Sequence, residues 1–134
     1  NEVLAVSPAN GKPLWRKNIS APARAAPTVA EDRLFVVTLD NRLIALSVKD
    51  GTFLWDYAGI SGVTGLMGSA SPAASNEIVV PVFSSGEIFA LRVENGAPLW
   101  GDNLSSVKTT SGLSGIADIR GLPVIDKGMV FAIS

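Results

Sequence analysis

Three nearly identical hexapeptides, NGKPLW, DGTFLW and NGAPLW, punctuate this chain of 134 residues. Their tryptophans, Trp15, Trp55 and Trp100, are separated by 40 and 45 residues. A period of this length indicates a repeat architecture, in which each repeat is one supersecondary unit that buries its apolar surface by stacking on its neighbours. Any fold proposed for the chain therefore has to place the three hexapeptides at equivalent positions.

The repetition extends well beyond the hexapeptides. Residues 26–55 and 71–100 align without a gap, and each segment has a Pro second, a short polar turn, two apolar runs, and then Asp/Asn-Gly before the Trp. Runs of four to eight β-branched and aromatic residues between turn residues are typical of strands. The first complete repeat is thus predicted to hold four strands, near residues 26–30, 33–39, 42–48 and 52–57.

Two kinds of tight turn join these predicted strands. LDNR and SSGE separate the second strand from the third, and ANG, KDG and ENG precede the Trp strand. Glycine adopts positive φ at little cost, so Gly11, Gly51 and Gly96 are expected to provide the left-handed residue of the second kind of turn.

Four short antiparallel strands every 40–45 residues predict the blades of a β-propeller. The runs RLFVV and RLIAL are almost continuously apolar, as expected of strands that are covered on both faces. We therefore predict an all-β fold, a partial β-propeller with two complete blades and two partial ones. The predicted boundaries are a blade end at 1–20, blades at 21–58 and 66–104, and the start of another blade at 116–134.

The repeat also predicts what the tryptophans do. One indole per blade, in the outer strand, is expected to pack against the next blade, and truncating a buried Trp costs about 3–5 kcal/mol. An open arc of blades would expose an apolar blade face, which favours self-association. The structural repeat residues are therefore Gly11, Trp15, Gly51, Trp55, Gly96 and Trp100.

The composition excludes several classes of function. The net charge is −1 with scattered Lys and Arg, whereas nucleic-acid binding requires a clustered basic face. The chain has neither His nor Cys, which removes His-based triads, thiolate nucleophiles and the usual zinc ligands. The longest apolar runs are far shorter than the roughly 20 residues of a membrane helix. No catalytic, cofactor-binding or metal-binding residue is predicted, and no cofactor is expected.

The repeat motif resembles a known family. ALSVKDGTFLW, VLAVSPANGKPLW and FALRVENGAPLW are similar to the PQQ-like repeat, and GLMGSASPAASNEIVVPVFSSGEIFALRVENGAPLW resembles a Gly-rich blade of the BamB-type outer-membrane assembly lipoproteins. Members of that family also have a longer loop after the corresponding Trp. Here Trp100 and Pro123 are 23 residues apart, against 12 and 17 in the two preceding repeats. The resemblance covers essentially the whole chain.

The resemblance implies a non-enzymatic scaffold on the periplasmic face of the bacterial outer membrane, in an eight-bladed propeller held by a lipid anchor outside this chain. The implied partner is BamA, through its periplasmic POTRA region. Carried over by position, the implied contact residues are Leu113, Gly115, Ile116 and Asp118. The family pattern has an Arg where this chain has Gly115, and the nearest Arg here is Arg120.

A second candidate contact lies in the Gly-rich segment GISGVTGLMGS, where Leu66 and Met67 are the apolar residues of a predicted loop. Binding residues are often found on loops at one face of a rigid scaffold. Two other functions stay open from the repeat alone. The chain could be a piece of a quinoprotein dehydrogenase, or an extracytoplasmic sensor propeller.

Overall fold

The computed structural model describes residues 1–59, 70–104 and 121–133. These residues form twelve β-strands and, within those ranges, no helix. The strands are β1 (Glu2–Val6), β2 (Pro13–Asn18), β3 (Thr28–Ala30), β4 (Arg33–Thr38), β5 (Arg42–Ser47), β6 (Phe53–Ala58), β7 (Ala73–Ala74), β8 (Ile78–Val80), β9 (Glu87–Arg92), β10 (Pro98–Asn103), β11 (Val124–Asp126) and β12 (Met129–Phe131). The four strands predicted for the first complete repeat are confirmed within about two residues at each end.

The strands form four antiparallel sheets, each ordered as in the sequence. We call them blade 1 (β1–β2), blade 2 (β3–β6), blade 3 (β7–β10) and blade 4 (β11–β12). Blades 2 and 3 have four strands each, whereas blades 1 and 4 have two. By the alignment of the repeats, blade 1 corresponds to the outer two strands of a complete blade and blade 4 to the inner two. The predicted partial propeller of two complete and two partial blades is confirmed.

Local sequence determines the turns. Gly11, Gly51 and Gly96 have φ of 69°, 73° and 73°, as predicted for the turn before each Trp strand. The turn between the second and third strands uses Asn41 in blade 2, at φ 58°, and Gly86 in blade 3, at φ 90°. Asn is among the few non-glycine residues that tolerate the left-handed region.

The apolar core lies between the blades. One cluster joins blades 2 and 3 through Phe35, Leu43, Trp55, Phe83 and Leu91. A second cluster lies on the other face of blade 3, where Val80 and Ile88 pack against Val130 and Ala132 of blade 4. Both faces of the central strands are therefore covered, which explains why β4, β5 and β9 are nearly continuous apolar runs.

Candidate partner-binding edge

Strand direction places every link between blades on one edge of the sheets. A meander of four antiparallel strands begins and ends on the same edge, and its turn between strands two and three lies there too. We call this the connection edge. Its described residues are 19–27, 39–41, 59, 70–72, 84–86, 104 and 121–123.

Asn41 organises the connection edge between blades 2 and 3. Its side-chain carbonyl oxygen Oδ1 accepts hydrogen bonds from the Ser84 backbone N–H at 3.2 Å and from the Ser84 hydroxyl at 2.7 Å. Its backbone carbonyl accepts the N–H of Gly59 at 2.8 Å. The side chain is almost fully buried, so these bonds satisfy a polar group that would otherwise be costly to bury. Asn41 thus fixes two blades and the start of a connection together.

Backbone hydrogen bonds hold the other ends of the connections. Leu39 donates its N–H to the carbonyl of Pro22 at 2.8 Å, and Leu104 donates to the carbonyl of Gly86 at 2.8 Å. In both cases a segment that links two blades is attached to a turn of a complete sheet. The connection edge is therefore a rigid base from which the links between blades begin.

Buried polar groups continue along this edge. Glu87 is buried in blade 3, and its Oε2 accepts the hydroxyl of Ser85 at 2.7 Å. Thr38 is fully buried, and its hydroxyl lies 2.5 Å from a carboxylate oxygen of Asp40. A side chain added at Gly59 would come within 2.5 Å of the Phe83 ring. This close packing requires a glycine where the connection leaves blade 2.

Two ion pairs occupy equivalent positions in successive blades with reversed charges. In blade 2 the Arg42 guanidinium pairs with the Asp56 carboxylate. In blade 1 the aligned positions are Glu2 and Arg16, which pair at 3.3 Å. The swap preserves attraction across the outer pair of strands, so the electrostatic need belongs to the position and not to the residue type.

The candidate contact residues lie outside the described residues. Leu66 and Met67 belong to the connection that leaves blade 2 at Gly59 and reaches blade 3 at the buried Ala70. The other candidates, Leu113, Gly115, Ile116, Asp118 and Arg120, belong to the connection between Leu104 and Gly121. Both connections begin and end on the connection edge. The described residue Leu122, next to the second connection, exposes 60% of its surface.

The opposite edge of the sheets carries a repeated tryptophan joint. The Trp15 indole N–H donates to the carbonyl of Val48 at 2.9 Å, and a Cβ added at Gly51 would lie 2.6 Å from the ring. The joint recurs one blade later. Trp55 donates to the carbonyl of Val93 at 3.1 Å, and a Cβ at Gly96 would lie 2.5 Å from its ring. The prediction that the Trp of one blade packs on the next blade is confirmed for Trp15 and Trp55.

The glycine turns at these joints are built alike. The Asp50 carboxylate accepts the backbone N–H of Thr52 at 3.0 Å, and Asn10 and Asn95 make the same bond two residues ahead, also at 3.0 Å. That backbone hydrogen bond, followed by one from the Thr52 hydroxyl, lowers the pKa of Asp50 below its ordinary value of 3.8. Turn formation, predicted for Asp50 and Asn95, is confirmed.

Sequence reasoning missed two features of these edges. It assigned Asn41 to a tight turn, without its bonds to Ser84, because a contact between blades depends on how the sheets stack. It also missed the exchange of charges between Arg42–Asp56 and Glu2–Arg16. That exchange could have been found by comparing the aligned repeats at positions two strands apart.

The described residues show no site for redox or metal chemistry. Among residues 1–59, 70–104 and 121–133, no group of three acidic side chains lies close enough to hold a metal ion. The same ranges contain no helix of the length and apolarity needed to cross a bilayer. The indoles of Trp15 and Trp55 are engaged in joints between blades. The arrangement is chemically suited to present loops from a stiff base.

Comparison with protein families agrees with the fold. The family model described as outer membrane protein assembly factor BamB matches residues 1–134. The chain is 24% identical to the outer membrane protein assembly factor BamB of Yersinia pestis, over 98% of this chain and 34% of that protein. It is 26% identical to the protein of the same name from Nitrosomonas eutropha, over 99% of this chain and 32% of that protein. The chain thus spans about a third of the length of these relatives.

Solved structures give the same architecture. The crystal structure of BamB from Moraxella catarrhalis superposes with a TM-score of 0.88 at 23% identity, covering 98% of this chain and 40% of that one. Quinohemoprotein alcohol dehydrogenase from Comamonas testosteroni superposes with a TM-score of 0.67 at 22% identity, over 82% of this chain. The second likeness shows a shared propeller fold, whereas the family model matches from end to end. The chain belongs to the family of the outer membrane protein assembly factor BamB.

Proposed function

We propose that this chain is part of a non-enzymatic scaffold of the outer-membrane β-barrel assembly machinery. On this proposal it acts at the periplasmic face of the outer membrane and is held there by a lipid anchor outside the chain. Family membership supports the proposal, because relatives that match nearly the whole chain are named as outer membrane protein assembly factors.

The partner proposed for this scaffold is the periplasmic POTRA region of BamA. The observation that carries the proposal is the convergence of both candidate connections on the connection edge. Gly59 and Leu104, where the connections begin, are each hydrogen-bonded to a turn of a sheet. Loops fixed at both ends on a rigid scaffold can present side chains to a partner at a small cost in conformational entropy. The contact is proposed to form by loop docking or by addition of a strand.

The proposed contact residues are Leu113, Gly115, Ile116, Asp118 and Arg120, with Leu66 and Met67 as the second group. Exposed Leu122 extends the apolar character of the edge into the described residues. The apolar blade faces that are exposed at the two ends are proposed to favour self-association, which does not involve the connection edge.

The decisive experiment titrates the isolated POTRA region of BamA into this chain by calorimetry. Ile116→Asp, Asp118→Lys and Arg120→Glu are expected to weaken binding at least about tenfold each, as for an interface hot spot. Lys49→Glu is the matched control, because it reverses an exposed charge beside the glycine turn at the opposite edge. Circular dichroism checks that each variant keeps its strand content.

Two results would contradict the proposal. The first is binding that none of the three substitutions weakens while Lys49→Glu does, which would move the contact to the opposite edge. The second is no binding of the POTRA region at all, together with oxidation of an alcohol by the longer parent protein when calcium and a quinone are added. That second result would favour the quinoprotein dehydrogenase alternative.

A further inference from the structure

The two partial blades are complementary halves of one blade. Blade 1 supplies strands equivalent to β5 and β6, and blade 4 supplies strands equivalent to β3 and β4. In the described residues, β1 and β12 each have a strand partner on one side only. We infer that β12 of one copy of this chain pairs with β1 of a second copy, completing a four-stranded blade. This inference rests on the self-association proposed above and is independent of the BamA contact.

The aligned repeats give the register of the new pair. In blade 2, Phe35 of β4 lies opposite Ala45 of β5, and Val36 lies opposite Ile44. The equivalent pairs between copies are Phe131 with Ala5 and Ala132 with Leu4. Every position in the predicted ladder is an uncharged residue facing an uncharged residue, so no charge is buried without a partner.

Exposure supports this register position by position. Phe35 is fully buried in blade 2, whereas its equivalent Phe131 exposes 50% of its surface. Leu46 is also fully buried, whereas its equivalent Val6 exposes 47%. These side chains have the residue types of a blade interior without its burial, and a half blade from a second copy would supply the missing cover.

The space for the incoming strand already exists. A cleft of about 360 Å³ lies beside β1 and is lined by Val3, Leu4 and Val36. Val36 is on the face of blade 2 that is directed away from blade 3, where the second strand of a complete neighbouring blade would stack. The exposed rings and chains of Phe131 and Ile133 are on the face of blade 4 that would enter this cleft.

The tryptophan joint gives an independent match. Trp100 is the third member of the series, yet it exposes 44% of its surface. Gly11 is the equivalent of Gly51 and Gly96, and a Cβ added to Gly11 meets no atom within 4 Å of the described residues. In the composite blade Gly11 of the second copy lies where the ring of Trp100 expects a glycine. The indole N–H would then donate to the carbonyl of Pro8, the equivalent of Val48.

One hydrogen bond of the complete blades cannot form in the composite blade. In blade 2 the N–H of Val48 donates to the carbonyl of Asp32. Pro8 has no N–H for the equivalent carbonyl of Gly128. The joint therefore depends on the β12–β1 ladder and on the Trp100–Gly11 contact.

The resulting interface is heterologous, since one end of a copy meets the other end of the next. Two copies would contribute two complete blades each and share two composite blades, which gives a ring of six. Propellers typically close with about four to eight blades. A heterologous contact that does not close would instead continue as an open series of copies.

Cysteine cross-linking tests the register, because the natural chain contains no cysteine. The double variant Leu4→Cys with Ala132→Cys places the two thiols at a directly opposed pair. The control double variant Leu4→Cys with Val130→Cys keeps the same face but shifts the pair by two residues, which is beyond usual disulfide reach. Oxidation is expected to link copies of the first variant and to leave most of the second unlinked on non-reducing gels.

A matched glycine pair tests the tryptophan contact. Gly11→Asn tolerates the positive φ of 69° but fills the space that Trp100 needs. Gly128→Asn makes the same change at φ 76° in an equally open turn away from the joint. Sedimentation over a range of concentrations is expected to show association of the wild-type chain. Gly11→Asn should raise the dissociation constant at least about tenfold, and Gly128→Asn should leave it unchanged.

The outcomes separate the inference from the broader proposals. A wild-type chain that stays monomeric at every concentration would overturn the composite blade, as would association with equal cross-linking of both cysteine pairs. The second result would leave unspecific self-association standing. Closed pairs and longer series both support the joint if only the Leu4–Ala132 pair cross-links. Binding of the POTRA region by Gly11→Asn is measured separately, so failure of either idea is distinguishable.

Discussion

Strands β6 and β10 have nearly the same sequence pattern and the same place at the outer edge of a four-stranded sheet, yet they differ in burial. Trp55 of β6 exposes 9% of its surface, whereas Trp100 of β10 exposes 44%. Every residue of β10 is exposed, while β6 has three residues that are at least partly buried. Because the two strands pair with equivalent inner strands, the difference does not come from their own sheets.

The difference comes from the next blade. Blade 3 offers β6 the carbonyl of Val93 and the open surface of Gly96. Among the described residues, blade 4 has no strands equivalent to those that carry this turn. An outer strand in this fold is thus stabilised mainly by its neighbour, as expected when each repeat contacts only the adjacent repeats. The stability of a blade is consequently a property of two consecutive repeats.

Truncating the two tryptophans should break this comparison most sharply. Trp55→Ala is expected to lower the free energy of unfolding by about 3–5 kcal/mol, because a buried ring and its hydrogen bond are lost. Trp100→Ala is expected to cost less than about 0.5 kcal/mol at dilutions where copies do not associate. Urea unfolding followed by circular dichroism measures both. Equal losses would show that the indole acts through its own sheet.

The glycines opposite these rings provide the next test. Gly96→Ala should cost about 1–2 kcal/mol for the left-handed backbone. It should cost about 1–3 kcal/mol more because the new Cβ would lie 2.5 Å from the Trp55 ring. Gly11→Ala should show only the first cost, since no described atom lies within 4 Å of its added Cβ.

The comparison of Gly96→Ala with Gly11→Ala isolates the joint, because both residues adopt nearly the same φ. Thermal or urea unfolding of the two variants under dilute conditions is sufficient. A Gly11→Ala variant as unstable as Gly96→Ala would contradict the role of the ring contact and leave backbone strain as the whole effect.

These joints also show how far the sequence could be interpreted. The spacing of Trp15, Trp55 and Trp100 was sufficient to predict blades, turns and the packing of the ring on the next blade. It was not sufficient to identify Gly51 and Gly96 as the surfaces that receive the rings. Their positive φ is required by the turn alone, so their second role becomes visible only when two repeats are stacked.

The candidate binding edge was predictable only in part. Strand parity places all links between blades on one edge, so a common location for the two candidate connections follows from the number of strands. The bonds from Ser84 to Asn41 join residues in different repeats and depend on the offset between sheets. The contact residues themselves, from Leu113 to Arg120, were assigned through family resemblance, and they stay a prediction.

The charge at the outer strand distinguishes β6 from β10 in a smaller way. Asp56 of β6 pairs with Arg42, whereas the equivalent position in β10 is Gly101, which lies against the Phe89 ring. Arg42→Glu alone is expected to cost about 0.5–1 kcal/mol, since the pair is partly exposed. Adding Asp56→Arg should restore stability, because the double variant recreates the Glu2–Arg16 arrangement of blade 1.

A double-mutant cycle of Arg42→Glu and Asp56→Arg measures this coupling by urea unfolding. Its salt dependence provides the control, because a pair at the surface should weaken as ionic strength rises. A double variant that is less stable than either single variant would show that the position in blade 2 requires Arg at the third strand for reasons of packing.

The smallest expected effect concerns the turn that leads into β6. Asp50→Asn should leave stability almost unchanged near neutral pH, since Asn10 and Asn95 accept the same backbone N–H at 3.0 Å in the other two turns. A difference should appear in acid. The hydrogen bonds from Thr52 lower the folded-state pKa of Asp50 below 3.8, so its stabilising contribution is present above that pH and is lost as the pH falls through the lowered pKa.

Unfolding of the wild-type chain and of Asp50→Asn at matched pH values tests this sign. The wild-type chain should lose stability relative to Asp50→Asn as the pH decreases below 3.8, because protonation removes a charge-assisted acceptor that the amide replaces at every pH. Asp50→Ala is the control, because it removes the acceptor throughout and should be less stable than Asp50→Asn at all pH values. Parallel curves for the wild-type chain and Asp50→Asn would show that the carboxylate holds its turn no more tightly when charged, and the three hexapeptide turns would then be equivalent in acid as well as at neutral pH.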